Sequence, residues 1–266
     1  MTVQLVERKS RTDSRTRLRR ILSAPGRKET EQMLPLRMEL FLIAHADETG
    51  DAYISETALS RGLAGTTLCE LWLAEKVLIG WRFDVRSGRY LRDQGSVTLQ
   101  NADATGDPLL DNAISLLWDM GSQARVDDFV NRFATADLTE RVRADMVVTG
   151  VLRRGTRRRF RLFRKDVYLA VDHRTPIRVR ARLHNNITDQ ANRPRHDHPD
   201  YRAVAQAALV AALGLISRLT PSDPTGLRQQ INHLIGTWPD PAIRDVATAV
   251  NPRHRHRAVH AVSAVE

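Results

Sequence analysis

The chain has 266 residues and a single cysteine, Cys69. One thiol closes no disulfide within the chain, which fits a reducing compartment. Cys69 also sits in an apolar stretch, where a thiol is inert packing and not a nucleophile. Aromatic residues make up only 5% of the chain, so Leu, Val, Ile and Ala have to build the core. Lysine is nearly missing: Lys9, Lys28, Lys76 and Lys165 are the four lysines among 41 basic residues. Such a bias points to a GC-rich coding genome and a bacterial source. It also changes the chemistry, because the planar guanidinium fork holds phosphate through two hydrogen bonds. There is no glycine-rich phosphate loop, no HExxH and no G-x-S-x-G. The expectation is a protein that is not an enzyme and carries no cofactor.

Long apolar runs are lacking too. The longest, AVAQAALVAALGLIS (203–217), contains Gln206 and falls short of the ~20 residues that cross a bilayer. It reads as a buried helix at the centre of a bundle. No apolar stretch follows the first basic residues, so the N-terminus does not read as a secretory signal. The expected location is cytoplasmic. His196, Asp197, His198 and Asp200, and histidines 254, 256 and 260, have no second well-spaced ligand pair, so no metal site is expected.

What is present is a globular core and positive charge. A hydrophobic fraction of 42% suits a folded domain. The net charge is +10, which favours an anionic partner without choosing between nucleic acid and lipid. Residues 1–30 carry nine basic residues and read as a disordered arm; 31–250 read as one helical domain, and 251–266 as a flexible tail. The expected fold is mainly α: a helical bundle wrapped by amphipathic helices, with one or two short β-hairpins.

Periodicity places the elements. LPLRMELFLIAHADETG (34–50) has helical spacing that ends in a turn. A helix over 56–61, capped by Gly62, and a second over 65–75 follow. Alternation and an RSG turn predict a hairpin over 77–100. Asp107-Pro108 marks a helix start, as do Asp223-Pro224 and Asp240-Pro241. A helix over about 139–149 ends at Gly150. RVRARLHNNI (178–187) is a short basic segment.

Two stretches bear on function. Residues 54–81 read as helix, turn, helix and then hairpin, the pattern of a winged helix-turn-helix over 54–100. Its second helix, however, is apolar with Glu70 and Glu75, and acids repel phosphate. The other stretch, VLRRGTRRRFRLFRKDVYLAV (151–171), holds eight basic residues. RGTR (154–157) reads as a turn between VLRR and RRFRLF. In the second strand Phe160 and Leu162 share one face, and Arg159, Arg161 and Phe163 the other. Such a ribbon suits an anionic bilayer, rings entering the interface and guanidiniums meeting phosphates. It also suits a half-buried strand whose arginines are simply solvated.

LPLRMELFLIAHADETG (34–50), SRGLAGTTLCELWLAEKVLI (60–79), DATGDPLLDNAI (103–114), GVL (150–152) before an RFRLF-like strand, and DHRTPI (172–177) together resemble the Golgi phosphoprotein 3 family over about 34–250. The resemblance implies an almost all-α domain, a non-enzymatic adaptor role, and binding of phosphatidylinositol 4-phosphate on a cytosolic membrane face. It further implies a membrane-inserting loop near Phe160, Leu162 and Phe163, and a hairpin at 81–100 through which copies associate. The eukaryotic pocket's tryptophan falls at Ser55, and its arginines at Ala64 and near Ala136 and Thr139. Headgroup candidates are therefore the neighbouring Arg61, Arg141 and Arg143, with Arg153, Arg154, Arg157, Arg158, Arg159 and Arg161. The expected partner is an anionic lipid, a phosphoinositide among the candidates, with a DNA-binding regulator as the alternative.

Overall fold

The computed structural model describes residues 33–84, 86–159, 163–192 and 200–251, with backbone only at 158–159 and 163–165. The basic arm (1–30), the tail beyond Asn251 and the His196/His198 set lie outside the described residues.

The fold is mainly α, with nine α-helices and two hairpins among the described residues. Helix α1 (Leu36–Ala44) is buried along its whole length. Helix α2 (Glu56–Leu73) starts at Ser55, whose hydroxyl accepts from the Ala58 N–H. Strands β1 (Val77–Asp84) and β2 (Arg89–Leu99) form the first antiparallel hairpin. Helices α3 (Pro108–Met120), α4 (Val126–Phe133) and α5 (Leu138–Val148) follow, then β3 (Leu152–Arg159) and β4 (Phe163–Ala170). Helices α6 (Arg174–Asn192), α7 (Tyr201–Ala212), α8 (Pro224–Thr237) and α9 (Ala242–Val250) complete the order.

The core forms around α2, which packs against α1, α3, α4, α5, α7 and α9. Its two glycines set how closely the neighbours approach. A Cβ at Gly62 would lie 2.6 Å from Leu213 Cδ1 and 3.0 Å from Leu40 Cδ2, and one at Gly65 would overlap Val250 Cγ2. These contacts overturn the expectation of two helices separated at Gly62. The glycines are contact points inside one continuous helix, and tertiary packing offsets their low helix propensity. With no turn between the two halves, the helix-turn-helix of 54–100 does not form.

The Asp-Pro starts hold. Asp107 accepts from the N–H groups of Leu109 and Leu110, and Asp223 from that of Gly226. At the third, Pro241 is the N-cap and the helix begins at Ala242, whose N–H donates at 2.9 Å to Asp240 just before the cap. The hairpin at 77–100 also holds, with a register shift between Ile79 and Trp81. Gly80 sits at that shift with φ +77°, and a Cβ there would meet Asp245, Arg92 and Pro241 within 2.8 Å.

One further expectation is corrected, and two helices were not read from the sequence. The basic segment at 178–187 lies in α6, with Pro176 in its first turn, where a missing N–H costs nothing. Two of its arginines meet carboxylates within the fold, Arg180 pairing with Asp47 and Arg182 joining Arg202 on Glu39 Oε1, both at 2.7 Å, while Arg178 is exposed. The apolar helix at 203–217 is buried as expected but ends at Ala212. Gly214, at φ +74°, turns the chain into a short 3-10 helix at 216–218. Helix α4 is too short for its periodicity to stand out.

No helix among the described residues is long and apolar enough to cross a membrane.

Candidate functional site

The second hairpin is longer than its sequence pattern implies. Eight pairs run from Leu152–Ala170 to Arg159–Phe163. RGTR (154–157) is therefore strand, and the turn expected there does not exist. Gly155 lies opposite Val167 at ordinary packing distance, so the glycine serves no turn. The β-prone run Val167–Tyr168–Leu169 pairs with Gly155, Arg154 and Arg153, across the place where the turn was expected. Arg159 and Phe163 consequently face each other across two strands instead of lying along one. Phe160, Arg161 and Leu162, which join the strands, lie outside the described residues, and Arg158, Arg159 and Phe163 are described by backbone alone.

The ribbon is anchored at its root. Leu152 is buried, and the N–H groups of Gly150 and Val151 donate to the last turn of α5 at 3.1 and 2.8 Å. Gly50, at φ +67°, lies against the Tyr168 backbone so closely that a Cβ would sit 2.6 Å from its carbonyl oxygen. Beyond this root Arg153, Arg154 and Arg157 are exposed on β3. Arg154 pairs with Asp166 at 2.5 Å.

Beside the root lies a cleft of about 260 Å³. The end of α1 contributes Phe41 and His45, the following loop Thr49 to Ala52, and the start of α2 Glu56 and Leu59. Helix α5 adds Thr139, Glu140 and Arg143, and β4 adds Asp166, Val167 and Tyr168. Arg143 lies 4.7 Å above the Tyr168 ring and 6.0 Å from that of Phe41, and is ion-paired with Glu140. Such stacking fixes a guanidinium while leaving part of its donor set to neighbours. His45 stacks on Phe41 at 4.0 Å, and its Nδ1 is 2.7 Å from the Phe41 carbonyl oxygen. Because a carbonyl only accepts, Nδ1 carries the hydrogen. Burial pushes the His45 pKa below its ordinary value, against the pull of the Phe41 carbonyl, so the ring is neutral at pH 7 with Nε2 as an acceptor. The Thr139 hydroxyl is buried and hydrogen-bonds to no protein group.

The candidate arginines thus fall into separate groups. Arg143 lines the cleft; Arg153, Arg154 and Arg157 stand on the ribbon. Arg141 faces solvent on α5 with Asp137 at 3.7 Å. Arg61 is 7% exposed, and its guanidinium donates to Asn131 Oδ1 and to the Ala249 carbonyl. It ties α2 to α4 and α9, and a headgroup would have to break those bonds to reach it. His45, Glu56, Thr139 and Asp166 were not singled out as site residues from sequence. They converge from four elements, and no local pattern marks them as neighbours.

Cys69 is buried, and burial, with Glu70 beside it, pushes its thiol up to about 12. It is inert packing, as expected. No group of three His, Cys, Asp or Glu among the described residues is arranged to hold a metal.

No curated protein matches the chain closely enough to count as a relative. The family model described as Golgi phosphoprotein 3 (GPP34) matches residues 36–250, which span α1 to α9 and include both the ribbon and the cleft. The chain belongs to the Golgi phosphoprotein 3 family.

Proposed function

We propose that this protein is a peripheral membrane adaptor that binds anionic lipid headgroups at the cytosolic face of a membrane. The observation that carries the reading is the anchored ribbon, with Arg153, Arg154 and Arg157 exposed on one strand. Each basic residue near an anionic surface contributes roughly 1 kcal/mol, so a few are enough for reversible attachment. Family membership supports the reading, since the family is in general one of non-enzymatic adaptors. Phosphatidylinositol 4-phosphate is the finer candidate ligand that the family brings, with Arg143 in the cleft as a candidate contact. Phe160, Leu162 and Phe163 are the proposed insertion residues. The first hairpin, with exposed Phe83, Tyr90 and Leu91, is the proposed contact between copies.

The test is co-sedimentation with anionic and neutral vesicles across a salt series, beside a DNA gel shift. Binding to anionic vesicles that weakens with salt, without a DNA shift, is the expected result. Equal binding to neutral vesicles, or a DNA shift without vesicle binding, overturns the reading.

A further inference from the structure

The two faces of the β3–β4 ribbon carry different chemistry. In an antiparallel pair, residues opposite each other point to the same side, and the side alternates along each strand. The register therefore sorts the side chains. Leu152, Arg154 and Thr156 share one face with Ala170, Tyr168 and Asp166. This face turns toward the body of the protein at its root. Leu152 is buried, Tyr168 packs against the core with the Arg143 guanidinium 4.7 Å from its ring, and Arg154 is neutralised by Asp166.

On the other face Arg153 lies opposite Leu169, Gly155 opposite Val167, and Arg157 opposite Lys165. The Val171 N–H donates to the Val151 carbonyl at 3.0 Å, which extends the pairing by one step and brings Val171 into the same row. A Cβ built on Gly155 would lie 3.5 Å from Val167 Cγ2, so the Val167 side chain points to this side. Val167 and Leu169 are half-buried, and Val171 is 57% exposed. Arg153 and Arg157 are exposed, and no carboxylate among the described residues of this face offsets them.

One strand thus presents basic residues and its neighbour an apolar row, side by side. The methylene stem of Arg153 can cover Leu169 while its guanidinium stays in a polar layer. Gly155 leaves Val167 open between the two arginines. An acidic protein surface would pair with the guanidiniums but set the apolar row against polar groups. An anionic bilayer satisfies both rows, since phosphates meet the guanidiniums and the aliphatic side chains reach the acyl boundary.

We propose that the ribbon lies with its long axis along an anionic bilayer, on the face of Arg153, Arg157, Val167, Leu169 and Val171, instead of standing upright on its tip. The proposal rests on the membrane reading above and fixes the orientation within it. Eight pairs at ~3.3 Å per residue span roughly 25 Å. An upright ribbon would hold Val171 about that far from the headgroups, whereas a flat one places it among them.

Cys69 is buried with its thiol pushed up to about 12, so a cysteine placed on the ribbon is labelled alone. Leu169→Cys, Val171→Cys and Thr156→Cys, each in the full chain, are coupled to a nitrobenzoxadiazole dye. They are mixed with vesicles of phosphatidylglycerol and phosphatidylcholine, or of phosphatidylcholine alone. On the anionic vesicles the dyes at 169 and 171 are expected to brighten and to be quenched by acyl-chain spin labels, while the dye at 156 changes little. Val171 is exposed in the folded chain and carries the test should the Leu169 variant melt early. Val171→Glu is expected to weaken co-sedimentation with anionic vesicles about tenfold, through lost apolar contact and added repulsion. Thr156→Glu makes the same charge change on the opposite face and is expected to weaken it about threefold or less. Vesicle binding with the dyes at 169 and 171 still in water overturns the proposal and leaves the membrane reading standing. Absence of binding to any vesicle overturns both. A dye response that grows with protein concentration without vesicles assigns the face to a second copy and overturns the proposal. Equal losses in Val171→Glu and Thr156→Glu overturn it as well.

Discussion

A methyl group at position 65 would overlap the Val250 side chain and come within 3.1 Å of Leu209 Cδ2. At position 236, near the end of α8, the same methyl would meet nothing within 4 Å. The two glycines therefore test opposite effects of one substitution. Gly65→Ala is expected to destabilise the protein by about 1–3 kcal/mol through overpacking. Gly236→Ala is expected to stabilise it by about 0.5–1 kcal/mol, since alanine is the better helix former and open space costs it nothing. Urea denaturation of both variants measures the contrast. His45 makes a second residue-scale prediction. Its folded pKa lies below the ordinary 6.5, because burial disfavours the charged ring. The unfolded chain then binds the proton first as pH falls. His45 therefore contributes stability that is complete above pH 6.5 and is lost as pH drops below it, toward the folded pKa. His45→Gln should flatten the fall in melting temperature between pH 7 and pH 5.

At the scale of the element, the β3–β4 ribbon carries the charge proposed to meet the membrane. Replacing Arg153 and Arg157 by Ala removes two exposed guanidiniums from the strand. At roughly 1 kcal/mol each, partitioning onto anionic vesicles should weaken by about 2 kcal/mol, or ~30-fold, with the folded state intact. Flotation at low salt reads the loss, and a far-UV spectrum checks the fold. The ribbon also shows where sequence reading stopped. Its basic character was legible, but its register was not. Arg-Gly-Thr-Arg satisfies a turn locally, and only the eight-pair ladder with β4 decides against one. Helix α2 teaches the same lesson. Gly62 and Gly65 look like helix ends until Leu213, Leu40 and Val250 are placed against them. By contrast the Asp-Pro helix starts were read correctly, because a cap is a contact between residues two or three apart.

Over the whole molecule, several arginines are engaged with partners inside the fold. Arg37 is 2% exposed and joins α1 to α2 and α3 through Glu70 and Asp107. Burial alone would lower its pKa, but the two carboxylates more than offset this and hold it above the usual value. Arg37→Met is expected to cost about 3–5 kcal/mol, since it leaves buried carboxylate charge without a partner. Adding Glu70→Gln should recover part of that loss, and thermal unfolding of the single and double variants measures the coupling. Arg61, Arg180, Arg182 and Arg202 are committed in similar ways. A count of arginines read from composition therefore overstates how many guanidiniums face a partner.

The sequence by itself determined the helical class, the buried α7 segment, the first hairpin and the capped helix starts. These follow from local contacts and from periodicities that recur within a few residues. The family, too, was legible from short motifs in a fixed order. Tertiary structure alone decided that α2 is unbroken, that Arg61 belongs to the core and Arg143 to a cleft, and that carboxylates from the α1–α2 loop, α2, α5 and β4 meet beside a basic ribbon. Such pairings join residues far apart in the chain, 70 and 188 positions for the two bonds of Arg61. No local pattern encodes them, because they arise only when the apolar faces of several helices are buried together.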